Sequence, residues 1–268
     1  MAHSERLAQV QCFLLDMDGT VFLGDRLLEG ARRFLDLLQA QGKRYLFLTN
    51  NSSKHRRQYA EKLRRLGLPV PEELIFTSGE ATALYLQQKF PGGRLVVVGT
   101  AALEDELREH GFELVEHNPQ CLVLGFDTTL TYAKLWKLCD FVRQGLPYVA
   151  THPDINCPLP GGSMPDIGAT IAFVKASTGR EPDVVVGKPN RLMVERAAEK
   201  VGLPVAALGM IGDRLYTDIA LGQASGIPAV LVLSGETRLE DLPGSRFTPD
   251  YIFAHLGEAA DWLEAHPK

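Results

Sequence analysis

Short continuous apolar runs alternate with segments of helical period along most of the chain. Cys12-Phe13-Leu14-Leu15 is the first run, and Phe34, Leu35 and Leu38 then share one face of a helix that starts near Ala31 and stops at Gly42. Strand-like runs follow at Tyr45–Leu48, Leu74–Phe76, Leu95–Val98, Cys121–Phe126, Tyr148–Ala150, Val184–Val186, Ala206–Ile211 and Ala229–Leu233, with a short one at Tyr251. Between them the pattern predicts helices. Ser52 or Ser53 is placed to cap one that runs to Leu66, and Ser78 to cap another that ends before Pro91-Gly92-Gly93. Others are expected near Leu103, from Tyr132, over Ile167–Ser177, from Arg191, from Thr217 and at the C-terminal end. Apolar strands separated by helices predict a parallel sheet covered on both faces, an α/β fold.

Four polar clusters each follow directly on an apolar run. They are Asp16-Met17-Asp18-Gly19-Thr20, Thr49-Asn50-Asn51, Gly187-Lys188-Pro189, and Gly212-Asp213-Arg214-Leu215-Tyr216-Thr217-Asp218. If the runs are parallel strands, all four clusters lie at one edge of one sheet, where open α/β sheets bind ligands. Carboxylates that converge repel one another unless a cation joins them. Hard oxygen ligands of this kind select Mg²⁺, which also binds substrate phosphate. Lys188 and the Thr49 hydroxyl can hold phosphoryl oxygens, as can backbone N–H groups after Asp16 and near Asn50. Phosphoryl transfer needs mainly positioning and charge stabilisation.

These residues resemble the haloacid dehalogenase (HAD) superfamily of phosphatases. The resemblance rests on Asp16 to Thr20, Thr49-Asn50, Lys188, and Gly212-Asp213 with Asp218. Asp16 to Gly30, Leu48 to Ser52 and Gly187-Lys188-Pro189 narrow it to subfamily IIA, with NagD-type nucleotide phosphatases, p-nitrophenyl phosphatases and phosphoglycolate phosphatases. It implies a Rossmann-like parallel-sheet core with an inserted αβ C2-type cap, and a Mg²⁺-dependent phosphomonoester hydrolase working through a phospho-aspartyl intermediate. By the same resemblance Asp16 attacks phosphorus and binds Mg²⁺. Asp18 acts as acid and then base, with its carbonyl on the metal. Thr49, Asn50 and Lys188 bind the phosphoryl group, Asp213 ligates Mg²⁺, and Asp218 orients metal-bound water or Lys188. Carbon–halogen hydrolysis needs neither a leaving-group acid nor a metal, so Asp18 and Asp213 favour the phosphatase.

About one hundred residues separate Ser78 from Gly187, enough for a domain. The expected division is core over 1–79, cap over 80–180 and core again over 181–268. The resemblance places the cap over the core site, where it excludes water and reads the substrate beyond phosphate. Thr151-His152-Pro153-Asp154-Ile155-Asn156 follows a cap strand, and His152, Asp154 and Asn156 are the expected specificity residues. Relatives often carry Asn before the Pro-Asp pair, where this chain has His152.

Composition narrows the partners. The chain has 268 residues, 45% of them hydrophobic, and a net charge of −5. That charge gives no overall field to attract nucleic acid. No apolar run is long enough to cross a bilayer, and residues 1–11 lack the apolar core of a signal peptide. The expectation is a cytoplasmic enzyme whose partner is a small phosphorylated metabolite, with no nucleic acid and no membrane, and with a cap-mediated homodimer as the oligomer the resemblance implies. Cys12, Cys121, Cys139 and Cys157 form no Cys-x-x-Cys pair and read as reduced, mostly structural thiols. The basic run Lys54, His55, Arg56, Arg57, Lys62, Arg64 and Arg65 reads as a solvated helix face supported by Glu61, Pro160-Gly161-Gly162 as a turn, and Trp136 as core beside Leu135 and Leu138. His3, His255 and His266 carry no signal. Two other functions fit the motifs: a phosphotransferase or phosphomutase on the same core, and a non-catalytic protein that binds a phosphorylated metabolite.

Overall fold

The computed structural model describes residues 6–159 and 161–267, and the chain divides into two compact units. One unit gathers the chain up to Thr49, Tyr59–Phe76, and Lys188 onward; the other gathers Asn50–Gln58 and Thr77–Gly187. His3 and Pro160 lie outside the described residues.

The first unit is built on a six-stranded sheet in the order Tyr251–Phe253, Ala229–Val232, Leu208–Gly212, Cys12–Asp16, Arg44–Thr49, Ile75–Thr77. Cys12–Asp16 pairs parallel with both of its neighbours. It is buried along its whole length, as a continuous apolar run between two helical layers must be. Phe13, Leu15, Phe34, Leu38 and Phe47 belong to the core on one face, with Phe13 and Phe34 in an edge-to-face contact at 5.6 Å. Each large side chain so buried contributes about 1.5–3 kcal/mol. The helix carrying Phe34 runs Ala31–Ala40, as the sequence predicts.

The second unit has its own five-stranded sheet, in the order Val184–Val185, Tyr148–Ala150, Cys121–Leu124, Arg94–Val98, Glu113–Leu114, with every pair parallel. Helices Tyr132–Arg143 and Ile167–Thr178 pack on it through Leu138, Val142 and Val174. The architecture is the α/β parallel-sheet core with an inserted αβ cap.

Several sequence expectations need correction. Val184–Val185 is an edge strand of the second sheet, so Gly187-Lys188 does not follow a strand of the first. Short runs do not say which sheet they join. Neither Ser52 nor Ser53 caps the helix Arg56–Arg65. The Ser53 hydroxyl donates to Asn51 Oδ1 at 2.7 Å. His55 holds that end instead: its Nδ1 accepts from Arg57 N at 3.3 Å, and its own N–H donates to Gln58 Oε1 at 2.8 Å. Histidine thus takes the place of Ser or Thr as the cap, and Gln58 reaches back to its N–H as the last residue of a capping box does. Thr77, not Ser78, caps the helix Ser78–Lys89.

The helix expected from Thr217 opens as a π-type turn over Leu215–Ile219, and regular helix covers Ala220–Ser225. Trp136 is 64% exposed rather than core. His55, Arg56 and Arg57 meet Glu106 and Glu109 in an ionic cluster, so the start of the basic helix is paired and not simply solvated. Gly161 forms part of the turn joining the antiparallel strands Asn156–Leu159 and Gly162–Pro165. Among the described residues no helix is long and apolar enough to cross a membrane. All four cysteines are free, and burial pushes the Cys12 thiol up to about 11 and Cys121 up to about 12.

Candidate active site

Three strand ends of the first sheet build the site. The register sets Asp16 beside Leu48 and Leu15 beside Ile211, so Thr49 and Asp213 emerge just past Asp16 on either side. Asp16 and Thr49 are buried. After Asp16 the chain turns sharply: Val21 N–H and Phe22 N–H both donate to Met17 O, at 2.9 and 3.1 Å. Gly19 sits in this turn at φ +85°, a conformation that favours glycine. The turn leaves the Asp18 side chain 55% exposed, with Lys62 Nζ 4.0 Å from its Oδ1.

Asp16, Asp213 and Asp218 each offer one carboxylate oxygen within 4.8 Å of the others. Lys188 Nζ donates to Asp16 Oδ1, and to Asp218 Oδ1 at 2.7 Å. Asp218 Oδ2 accepts from Arg214 N–H at 3.1 Å, so both of its oxygens are engaged. The π-type turn is what aims Asp218 back at Lys188. Such single turns recur at functional sites.

The charges explain one another. Burial pushes the Asp16 carboxyl well up, and the nearby charges of Asp218 and Asp213 add to this against the opposing pull of Lys188. Burial and the Asp218 charge push Asp213 up to about 7. Burial alone would push Lys188 down, but Asp16 and Asp218 outweigh it and hold the ammonium above its ordinary range. Arg214 is likewise held protonated, by Asp16 and Asp213 against burial.

The donor set fits a divalent cation. Asp213 Oδ2 accepts from Glu236 N–H at 2.7 Å, while its Oδ1 is buried with no hydrogen-bond partner. A buried carboxylate oxygen in that state is costly unless something else satisfies it. Gly19 and Gly235 flank the same carboxylate, and a Cβ at either would collide with it. Three hard carboxylates with an orphaned oxygen match Mg²⁺ or Ca²⁺, not a soft metal.

The expected site residues thus separate. Asp16, Asp213, Asp218 and Lys188 come together, Thr49 lies at the neighbouring strand end, and Asp18 follows on the exposed turn. Asn50 belongs to the second unit, where its Nδ2 lies 3.0 Å from Asp154 Oδ1. Asn156 is exposed at the start of its hairpin. His152 is 0% exposed, with Nε2 3.0 Å from Asp166 Oδ1 and Nδ1 3.0 Å from Thr151 Oγ1, so both ring nitrogens are engaged within the second unit. Arg214 stands inside the fourth polar cluster, whereas Ser234, whose hydroxyl donates to Gly19 O at 2.7 Å, Gly235 and Glu236 follow a strand with no spacing that marks them.

Comparison with known proteins shows the family. Residues 13–113 match the haloacid dehalogenase-like hydrolase family, and residues 185–259 a HAD-hydrolase-like family. An acid sugar phosphatase of Staphylococcus aureus is 34% identical over 259 residues, 96% of this chain and 100% of that protein. A 4-nitrophenylphosphatase from Thermotoga maritima superposes with a TM-score of 0.93 at 47% identity, covering 96% of this chain and 98% of the other. A glycerol phosphate phosphatase from Mycobacterium tuberculosis, solved in complex with magnesium, gives 0.87 at 32%, covering 94% and 77%. The chain belongs to the haloacid dehalogenase-like hydrolases, and within them to the NagD-like phosphatases.

Proposed function

We propose that the chain hydrolyses phosphate monoesters of small sugars or related polyols, with Mg²⁺ as cofactor and Asp16 as nucleophile. The observation that carries this reading is the buried cluster itself: three carboxylates, one with an orphaned oxygen, closed by a single lysine. The names of the relatives support the substrate class, and the magnesium complex of the mycobacterial protein supports the metal.

Asp16, Asp213 and the carbonyl of Asp18 would hold the ion. When bound it supplies positive charge against the carboxylates and the phosphoryl oxygens. The residues do the rest. Lys188 and Thr49 bind two of the phosphoryl oxygens, with backbone N–H groups around Asn50 completing the cradle. Asp16 attacks phosphorus through a carboxylate oxygen as the ester P–O bond breaks. Asp18 gives its proton to the departing alkoxide, which leaves as the alcohol. The exposed position of Asp18 suits a group that must meet a leaving group and then a water. In the second step the Asp18 carboxylate takes a proton from water, the hydroxide adds to phosphorus, and Asp16 departs as carboxylate. Asp218 keeps Lys188 aimed at the phosphoryl site. We assign residues near 80–180 to the cap and give them the choice among alcohols.

Phosphate release from a panel of phosphomonoesters, with Mg²⁺ and with EDTA, tests the reading. Wild-type release should depend on metal and favour phosphorylated sugars or polyols. Asp16→Asn should lower turnover by about 10³-fold or more. Substantial turnover by Asp16→Asn, with deamidation excluded, would remove Asp16 as nucleophile.

A further inference from the structure

The chain passes from the first unit to the second after Thr49 and after Phe76, and returns before Lys188. Asn50 and Gly187 are therefore the covalent neighbours of two proposed phosphoryl ligands, Thr49 and Lys188. Inside the second unit these crossing points are tied together by buried and half-buried polar groups.

Asn50 is gripped from two sides. Ser78 Oγ–H donates to its carbonyl, and its Nδ2 donates to the Asp154 carboxylate, lying 3.0 Å from Oδ1 and 3.2 Å from Oδ2. Gly187 closes on the same place. Its N–H donates to Thr151 O at 2.8 Å, and a Cβ there would stand 2.7 Å from Asn50 Oδ1, from His152 Cβ and from Thr151 O. No other residue type fits so close an approach.

The loop that supplies Asp154 is itself fixed. The Asp166 carboxylate can only accept, so His152 Nε2 carries the proton between them, and His152 Nδ1 accepts from the Thr151 hydroxyl. Thr151 in turn accepts from Ser52 Oγ–H at 2.9 Å, and Ser52 accepts from Phe126 N–H at 2.9 Å. Every donor in this chain has one acceptor. The start of the helix Ile167–Thr178 holds the loop backbone as well, with Gly168 N–H donating to Asp154 O at 2.7 Å.

We propose that Asp154 is a positioning residue: its carboxylate fixes the Asn50 amide, and through Asn50 the peptide that carries Thr49. A charged acceptor makes a stronger hold than a neutral one. His152 and Ser78 complete the clamp, and neither is a substrate contact. The inference rests on the phosphatase reading only in taking Thr49 and Asn50 as phosphoryl ligands. Its consequence is opposite to that of a specificity loop. Loss of Asp154 impairs hydrolysis of every phosphate ester alike, because all share the group that Thr49 and Asn50 bind.

The test compares 4-nitrophenyl phosphate with a hexose phosphate in wild type, Asp154→Ala and Asp154→Asn. Asp154→Ala should lower kcat on both by the same factor, about 10- to 100-fold, with KM little changed. Asp154→Asn, whose amide oxygen still accepts from Asn50, should recover most of the rate. Unequal losses that reorder the two substrates, or no loss on either, would overturn the proposal. If Asp154→Ala does not fold, Ser78→Ala must show the same equal loss. Should wild type hydrolyse neither ester, the phosphatase reading fails, and titration with inorganic phosphate and Mg²⁺ decides the clamp. Weaker phosphate binding by Asp154→Ala would uphold it, and unchanged binding would overturn it.

Discussion

Lys188 is a buried ammonium between two buried carboxylates, Asp16 and Asp218. Its removal leaves those charges facing each other and Asp213 without compensation. Lys188→Met should therefore cost about 3–5 kcal/mol in metal-free protein at pH 8, read from urea unfolding. The loss should be smaller at pH 5, where the carboxylates can take protons instead. Turnover should fall by about 10²–10³-fold through loss of charge on the phosphoryl oxygens. At this scale the acidic residues and Lys188 were legible, because each stands in a short polar motif directly after an apolar run. The Asn50–Asp154 pair was not. Its members lie 104 residues apart, and neither belongs to a periodic pattern that names the other. The partners of His152 were hidden for a related reason: a sequence position after a strand says nothing about which way the imidazole turns.

Helices and strands were legible where period and length agreed, as in Ala31–Ala40 and Cys12–Asp16. They were not where a cap or a turn depends on distant partners. Ser52 looks like a cap but bonds Thr151 and Phe126, and histidine takes over the helix start. Trp136 illustrates the limit of reading neighbours. The buried face of Tyr132–Arg143 is Leu138, Cys139 and Val142, and Trp136 stands two residues, roughly 200° of helical rotation, from Leu138. Trp136→Ala should change stability by less than about 0.5 kcal/mol, while Leu138→Ala should cost about 2–5 kcal/mol by thermal or urea unfolding. The ionic cluster of the second unit gives a further check. Burial would raise the Glu106 carboxyl, but His110, Arg56 and His55 together hold it below its ordinary range. A depressed carboxylate stabilises above its unfolded value and loses that contribution as pH falls through the folded one. Glu106→Gln should therefore cost more at pH 7 than at pH 3, in the same unfolding measurement.

Across the whole molecule, the alternation of strands and helices predicted a parallel sheet, but not that the strands divide between two, nor which strand joins which. Val184–Val185 continues the rhythm of the chain yet closes the second sheet, and Lys188 reaches the site from there. What links site to fold at this scale is the proton balance of the carboxylates. Asp213 sits near 7 when folded and at its ordinary 3.8 when unfolded, so between these values the native state binds a proton that the unfolded chain does not. Metal-free stability should therefore fall as pH rises from about 4 to about 7, and the Asp16 carboxyl, pushed up by burial as well, adds to the fall. A divalent ion needs the ionised carboxylate, and its binding releases that proton. Mg²⁺ should thus stabilise little at pH 5.5 and strongly at pH 8. At a hundred times its Kd the gain is about 2.7 kcal/mol, on the order of 5 °C in Tm for a chain of this size. Thermal unfolding with Mg²⁺ and with EDTA at the two pH values measures this directly. Asp213→Asn should abolish the difference. An equal Mg²⁺ shift at both pH values, or one that survives in Asp213→Asn, would place the ion on other ligands.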